Sequence, residues 1–421
     1  MMDPSIIPAL YQPLSVDRKE IRVLEIIGMG DKVSCNLRVV SLNDNPSFTA
    51  LSYVWGDAND KVPFTVDGRP VQITRSLAAA LRHAKEHWQK TFPDGEPDEF
   101  RLWADALCIN QGDLAERASQ VQLMRDIYRS ASLVISWMGH KDADMISLAL
   151  STISEIHSVT KSLTQAEFST LQWMQPMTSL LTDSAESLPG QNDIRNEKWA
   201  ALHAFFQAEY FTRVWVFQEM LLGNKVILAC PSHLLAFDIV ARVCENFAEV
   251  QRNIHDGHAW LASFIDNQST ASSMILFGIN FATLSWLRIG RQIVREHPRE
   301  ECWVISPHGN NLKATDPRDH VYGLLGVANV NIVPDYSPTK TLGDVYADYV
   351  AAWLETARTK DPGSWEVTSV KDRLALLPQF CCHGDRRRSR YTIVGAEISQ
   401  ELHLPEGQLE RKRLPSSLWG L

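Results

Sequence analysis

The chain has 421 residues, of which 45% are hydrophobic and 22% charged, so it is long enough for two or three packed domains. Its formal net charge of −9 argues against broad binding to nucleic acid or to an acidic membrane surface, because both require a basic face. The seven cysteines are scattered and form no CxxC pair, which favours the reduced thiols of a cytoplasmic protein over a disulfide framework.

The first 140 residues alternate between β-rich and helical patterns. Strands are predicted over 20–27, 32–40, 48–55, 100–107 and 132–138. A hairpin is predicted where Asp67-Gly68 separates two alternating runs. Helices are predicted over 77–89, with Ser76 as cap, and directly after Asp113. This alternation predicts an α/β fold with a mainly parallel sheet and helices packed on both faces.

The second part of the chain has a mainly helical pattern. Helices are predicted over 141–158, over 196–208, from about 222 to about 310, over a segment starting at Asp316-Pro317 and ending at Gly326, and through about 357 after Thr341. A Ser/Thr-rich stretch at 159–195 predicts a loop insertion. We therefore predict an α/β domain over residues 1–225 and a mostly helical region over 226–421.

Two negative expectations follow from the sequence. The longest uncharged run, 267–287, is interrupted by polar residues and is shorter than a membrane helix in its apolar part, so no membrane span is expected. Cys381, Cys382 and His383 are too close together for tetrahedral zinc, so no metal site is expected. The sequence also lacks the GxGxxG, Walker A, GxSxG and HExxH patterns.

Three blocks carry a family resemblance. They are residues 50–56 (ALSYVWG), 102–111 (LWADALCINQ) and 213–219 (RVWVFQE), and a looser fourth block is 316–326 (DPRDHVYGLLG). In this order they resemble the fungal HET (heterokaryon incompatibility) domain family. The resemblance implies non-self recognition and regulated cell death, with self-association and a protein partner encoded by an incompatible allele or locus. It also implies a TIR-like, flavodoxin-like fold.

The resemblance to TIR domains supplies a catalytic hypothesis. Some TIR domains cleave NAD with a glutamate four residues after a tryptophan, and Trp215 and Glu219 have that spacing, with Val216 where those domains have cysteine. Glu219 is therefore the candidate catalytic residue. NAD is the implied substrate, and no cofactor is expected. A carboxylate suits this chemistry because the transition state resembles an oxocarbenium ion.

Candidate substrate-binding residues surround Glu219 in this hypothesis. Ligands of parallel α/β sheets bind beyond the carboxyl ends of strands, and arginine and tryptophan suit phosphate and ring binding. The candidates are Ser52, Tyr53, Trp55, Gly56, Asp105, Asn110, Gln111, Arg213, Trp215 and Gln218. Structural alternatives stay open: an Arg213–Glu219 salt bridge, a tight turn at 52–57, and polar side chains that only bind turn backbone.

Two further functional hypotheses remain at this point. The same domain is also compatible with a non-catalytic signalling or adaptor module that works by association. A third alternative is an accessory protein of a specialised-metabolite pathway, for which the sequence supplies no positive signal.

Overall fold

The structure is a computed structural model that describes residues 10–28, 33–139, 141–183, 194–255, 274–279, 281–296, 312–328 and 330–360. The chain divides into two compact units, Met1–Lys360 and Asp361–Leu421. All described residues belong to the first unit. The predictions made for Cys381, Cys382 and His383 therefore lie outside the described residues.

A mixed sheet forms the centre of this unit. In the described part of the chain its strands are β1 (Glu20–Ile27), β2 (Ser34–Ser41), β3 (Thr49–Tyr53), β4 (Lys61–Val66), β5 (Arg69–Thr74), β6 (Arg101–Trp103), β7 (Leu133–Trp137), β8 (Val226–Ala229) and β9 (Leu234–Ala236). Their spatial order is β5-β4-β2-β1-β6-β3-β7-β8-β9.

The four central strands β6, β3, β7 and β8 run parallel to one another. On one side β1 pairs antiparallel with both β6 and β2, and on the other side β9 pairs antiparallel with β8. The α/β class and the parallel core are thus confirmed, and the antiparallel strands are confined to the flanks. Because parallel strands share one direction, the carboxyl ends of β6, β3, β7 and β8 meet at one edge of the sheet.

Helices connect and cover the strands. The described ones are α1 (Arg75–Thr91), α2 (Asp105–Cys108), α3 (Leu114–Ser130), α4 (Ala143–Thr160), α5 (Gln165–Ser169), α6 (Thr178–Leu181), α7 (Glu197–Phe206), α8 (Val214–Leu222), α9 (Phe237–His255), α10 (Ala282–Glu296), α11 (Asp319–Tyr322), α12 (Leu325–Ala328) and α13 (Leu342–Lys360). A π-helical turn lies at Met274–Gly278. No helix among the described residues is both long enough and apolar enough to cross a bilayer.

Local sequence signals placed several elements correctly. Asp67 and Gly68 have φ values of 48° and 71°, and they connect β4 to β5 as an antiparallel hairpin. The Asp113 carboxylate accepts hydrogen bonds from the first turn of α3, as predicted. The cap of α1 is Thr74, not Ser76, because the Ser76 hydroxyl donates to the carbonyl of Val54 instead.

Other predicted elements were wrong in extent or type. The strand predicted over 100–107 ends at Trp103, and α2 follows it. Strands β8 and β9 lie where the pattern predicted helix, so the sheet continues past residue 225. Short apolar runs such as VILA fit a buried strand or a buried helix equally well, and the pairing with β7 decides between them. The glycine expected to end a helix, Gly326, lies within α12.

Candidate functional site

The ends of β3 and β6 bring an aromatic and an acidic side chain together. After β3, Gly56 has a φ of 76°, a left-handed conformation that favours glycine and turns the chain away from the sheet. The preceding Trp55 is 40% exposed, and its indole N–H donates to Asp105 Oδ2 at 2.9 Å. Asp105 is the first residue of α2, directly beyond β6. Two predicted site residues therefore meet at the carboxyl edge of the parallel strands.

Glu219 lies behind this pair and is only 3% exposed. Helix α8 carries Glu219 against β3, where the Ser52 hydroxyl donates to Oε2 of its carboxylate. The Ser52 oxygen is also 2.7 Å from the hydroxyl of Tyr210. Since serine has a single hydroxyl hydrogen, which goes to Glu219, Tyr210 is the donor in the second bond. The result is a buried chain of hydrogen bonds from Tyr210 through Ser52 to Glu219.

Burial dominates the electrostatics of this group. It raises the pKa of Glu219 to about 7, while the charge of Arg213 and the hydrogen bond from Ser52 oppose that rise. The negative charge of Asp105 raises the Glu219 pKa further. Burial also raises the pKa of Asp105 itself, again against the influence of Arg213. Near neutral pH both the protonated and the ionised form of Glu219 are therefore populated, which is a property that acid–base chemistry requires.

Arg213 influences both carboxyl groups electrostatically without forming a salt bridge to Glu219. Its guanidinium donates to the main-chain carbonyl of Tyr53 at the end of β3. Among the described residues no ion pair links Arg213 to a carboxylate. Its charge nevertheless lowers the pKa values of both Glu219 and Asp105. The salt-bridge alternative is therefore not what the structure shows, and Arg213 keeps further N–H groups for another acceptor.

Tyr53 packs behind the strand end. Its side chain is buried, and burial together with the nearby Asp105 charge raises the pKa of its phenol. It is therefore a neutral group at physiological pH, and it contributes a polar atom close to Asp105 without adding charge.

Asn110 and Gln111 hold the turn that follows α2. The Gln111 amide donates to the main-chain carbonyl of Asp105 at 3.0 Å, and the Asn110 side chain accepts from the backbone N–H of Gly112 at 3.3 Å. Both side chains bind backbone, as the structural alternative proposed. The Gln111 side chain thus stabilises the position of Asp105, while the Asn110 side chain stabilises the backbone of the turn itself.

Trp215 and Gln218 do not join the Ser52–Glu219 group. The Trp215 indole donates to Asp319 Oδ2 at 3.1 Å, and Gln218 Oε1 accepts from the backbone N–H of Gly326 at 3.2 Å. Their polar groups instead bind Asp319 and Gly326, which lie about a hundred positions further along the chain, and their assignment to the substrate site stays a prediction. For Gln218 the helical rotation of 100° per residue turns it away from its neighbour Glu219.

Sequence reasoning missed two tyrosines that surround Glu219. Tyr210 supplies the donor to Ser52, and Tyr128 on α3 is buried beside Glu219, whose charge raises the Tyr128 pKa. Tyr210 stands only three residues before Arg213, so its place beside the third sequence block was a usable signal. Tyr128 falls in the helical apolar pattern of α3, and nothing in that pattern distinguishes it from a core residue. Within the described residues, no group of three or more acidic, histidine or cysteine side chains is arranged to hold a metal.

The fold and site define an α/β domain with carboxyl, guanidinium and aromatic groups at the carboxyl edge of its parallel strands. Residues 48–219 match the family described as Heterokaryon incompatibility protein (HET). This match confirms the resemblance of the sequence blocks to the HET family.

A curated relative supports this assignment over a longer range. The chain is 29% identical over 370 residues to "Heterokaryon incompatibility protein 6, OR allele" of Neurospora crassa. The match covers 80% of this chain and 50% of the relative, so the chain spans about half the length of that protein. No solved structure matches the chain significantly. The TIR-like fold stays a prediction.

Proposed function

We propose that the chain acts in heterokaryon incompatibility, the non-self recognition that leads to regulated cell death in fungi, and that it does so in the cytoplasm by cleaving NAD. The match to the HET family and the name of the Neurospora crassa relative support the biological role. Self-association and a partner encoded by an incompatible allele or locus belong to the same proposal.

The catalytic part of the proposal is supported by one observation, the buried Glu219 carboxyl with its pKa of about 7. This carboxyl lies near the carboxyl edge of the sheet, where Ser52 donates a hydrogen bond to it and where the charges of Arg213 and Asp105 shift its pKa. The bond to be broken joins C1′ of the ribose to the cationic nicotinamide nitrogen. Its electron pair goes to that nitrogen, so nicotinamide leaves as a neutral molecule. The ionised Glu219 stabilises the positive charge that remains at C1′.

The remaining groups divide binding and proton transfer between them. A water molecule adds to C1′, and its proton passes to the Glu219 carboxylate, whose pKa suits it to accept and later release that proton. Arg213 supplies donors to the pyrophosphate. The exposed Trp55, rather than Trp215, provides the ring surface for stacking on a base. Glu219 must become accessible on substrate binding for this chemistry.

A second candidate is a non-catalytic module that works by association. The observation that favours it is the 3% exposure of Glu219, whose carboxylate is already hydrogen bonded to Ser52. In that case Glu219 joins β3 to α8 and has no contact with a ligand.

The test measures nicotinamide release from NAD by the full chain at high concentration. The Glu219→Gln variant is compared with Glu155→Gln, a matched change at an exposed glutamate that pairs with Lys198. Release by wild type and Glu155→Gln, and none by Glu219→Gln, is the result expected for the catalytic proposal. Equal release by both variants contradicts the assignment of Glu219. Absence of release from the folded, assembled wild type supports the association module.

A further inference from the structure

Residues 312–328 and 330–337, here called the C-terminal segment, lie outside the range that matches the HET family and yet contact the helix that carries Glu219. The first contact is through backbone. The Val214 N–H donates to the carbonyl of Lys313 at 3.1 Å, and Arg213 forms a parallel bridge with Lys313. The start of α8 is therefore held by a residue about a hundred positions further along the chain.

The second contact is a buried carboxylate. Asp319, 6% exposed, accepts from the indole of Trp215 at 3.1 Å through one oxygen and from the hydroxyl of Tyr336 at 2.8 Å through the other. The Tyr336 ring is covered by the guanidinium of Arg117, 3.7 Å from the ring centroid. When both oxygens of a buried carboxylate accept hydrogen bonds, the position of the carboxylate is well defined. Losing either donor would leave one buried oxygen without a hydrogen bond, which is energetically costly.

The third contact lies one turn further along α8. Gln218 Oε1 accepts from the Gly326 N–H at 3.2 Å. A methyl group added at Gly326 would overlap the same Gln218 oxygen and meet Leu222 Cδ1 at 3.1 Å. The C-terminal segment thus contacts α8 at its first residue, at Trp215 and at Gln218, which together define both the rotation and the axial position of the helix.

Arg318 closes the C-terminal segment on itself. It forms two hydrogen bonds to the Asp316 carboxylate, at 3.0 Å and 2.8 Å, and donates to the carbonyls of Asp335 and Ser337. These bonds join the two ends of the segment around Asp319 and Tyr336. The segment that carries the Asp319–Tyr336 pair is therefore also held by contacts that do not involve Trp215, as a residue that positions the indole requires.

We propose that Asp319 is a positioning residue of the candidate site, and that through Trp215 it holds α8 in the orientation that places Glu219 against Ser52. The proposal also gives the fourth sequence block, 316–326, a role: it completes a site whose other residues lie in the HET domain. It rests on the contacts of α8 and holds whether the site cleaves NAD or not.

A double-mutant cycle on the full chain tests this proposal. The variants are Asp319→Ala, Trp215→Phe and the two combined. The measurement is hydrogen exchange of the backbone amides of α8, with those of α1 as an internal reference for global opening. Each single change is expected to speed exchange in α8 about tenfold without changing α1, because each removes one hydrogen bond to a buried charge. The double variant is expected to exchange no faster than the single variants.

Two controls keep the result specific. Asp319→Asn retains an acceptor oxygen for the indole and is expected to exchange nearly as wild type. Asp344→Ala removes an exposed carboxylate that caps α13 through Thr341 and is expected to leave α8 unchanged. The proposal would be overturned if Asp319→Ala left hydrogen exchange in α8 unchanged. It would also be overturned if the increases in exchange rate caused by Asp319→Ala and Trp215→Phe multiplied in the double variant. If Asp319→Ala does not fold, the cycle is completed with Asp319→Asn instead, by measuring hydrogen exchange of α8 in Trp215→Phe with and without Asp319→Asn.

Activity is measured separately on the same variants. If wild type releases nicotinamide, loss of release in Asp319→Ala and its rescue in Asp319→Asn are expected. If wild type releases none, the proposed catalytic function fails, and the exchange result still decides whether Asp319 positions α8.

Discussion

The hydroxyl of Ser52, the fourth residue of β3, donates to the carboxylate of Glu219 on α8, 167 residues later in the chain. This bond joins the central strand of the parallel core to the helix that carries the candidate catalytic group. It places a hydrogen-bond donor on a carboxylate that burial would otherwise keep protonated. The properties of Glu219 therefore depend on a residue of the first sequence block.

Replacing Ser52 with alanine is expected to raise the pKa of Glu219 above its value of about 7, because the Ser52 hydrogen bond lowers that pKa. Loss of the donor is also expected to reduce the free energy of unfolding by about 1–3 kcal/mol. The pKa is measured from the carbonyl-stretch infrared band of the protonated carboxyl, assigned by its absence in Glu219→Gln. A lowered or unchanged midpoint contradicts this account.

The raised pKa of Glu219 also makes stability depend on pH. The folded chain holds this proton up to a pH of about 7, whereas the ordinary value of the group is 4.5. Between these values the folded state binds more protons than the unfolded state. The contribution of Glu219 to the free energy of unfolding therefore falls as pH rises through this window, by on the order of 3 kcal/mol in total.

Glu219→Gln does not titrate, so the variant is expected to gain stability relative to wild type as pH rises from 4.5 to about 7. Urea unfolding of both proteins across this window measures the difference. The comparison with wild type cancels the contribution of Asp319, whose pKa is also raised and whose charge is not among the causes that shift Glu219. A constant difference across the window would show that Glu219 is not protonated in the folded chain.

Trp55 supplies a third prediction, which concerns binding. Under the proposed function, Trp55→Ala is expected to weaken the binding of NAD about tenfold, because stacking of a base on an aromatic ring contributes about 1–3 kcal/mol. Trp55→Phe retains the ring and loses only the N–H that donates to Asp105, so a smaller loss is expected. Titration calorimetry with NAD on the full chain measures both. Equal affinities for wild type and Trp55→Ala would remove Trp55 from the site.

A pair of glycines supplies the fourth prediction. Gly326→Ala is expected to destabilise the chain by about 1–3 kcal/mol, since the new methyl group displaces Gln218 and presses on Leu222. Gly343→Ala, in α13, is the matched control: its methyl group would meet only Thr341 Oγ1, at 3.7 Å, and alanine favours the helix by up to about 1 kcal/mol. Urea unfolding is expected to move the two variants in opposite directions.

The sequence could predict which side chains lie near Glu219, because the ends of strands are recognisable from local sequence. These side chains are Ser52, Trp55, Asp105 and Arg213. Each side chain follows or ends a recognisable strand or opens a helix, and the carboxyl ends of parallel strands share one edge. The Asp67–Gly68 turn was predictable for a similar reason, since its backbone requirement is set by two adjacent residues.

The parts that failed depend on distant residues. Helical spacing predicted Trp215 beside Glu219, but it did not predict the hydrogen bond from Trp215 to Asp319, because no local pattern encodes that contact. Strand β8 was missed for the same reason, because a four-residue apolar run becomes a strand only by pairing with β7. Tyr128 was missed because a buried tyrosine beside a carboxylate has the same sequence pattern as a core tyrosine.

The bond between Trp215 and Asp319 spans 104 residues, and this separation has a consequence for the order of events on the ribosome. At ordinary rates of synthesis, Asp319 is added about 5 to 20 s after Trp215. During that interval the sheet strands β1 to β9 have all been made, while α8 still lacks the C-terminal segment. A nascent chain that ends between residues 237 and 312 therefore carries all nine described strands and every residue that matches the HET family model, and it still lacks the contacts of Lys313, Asp319 and Gly326 to α8, so the site is completed only when synthesis is far advanced.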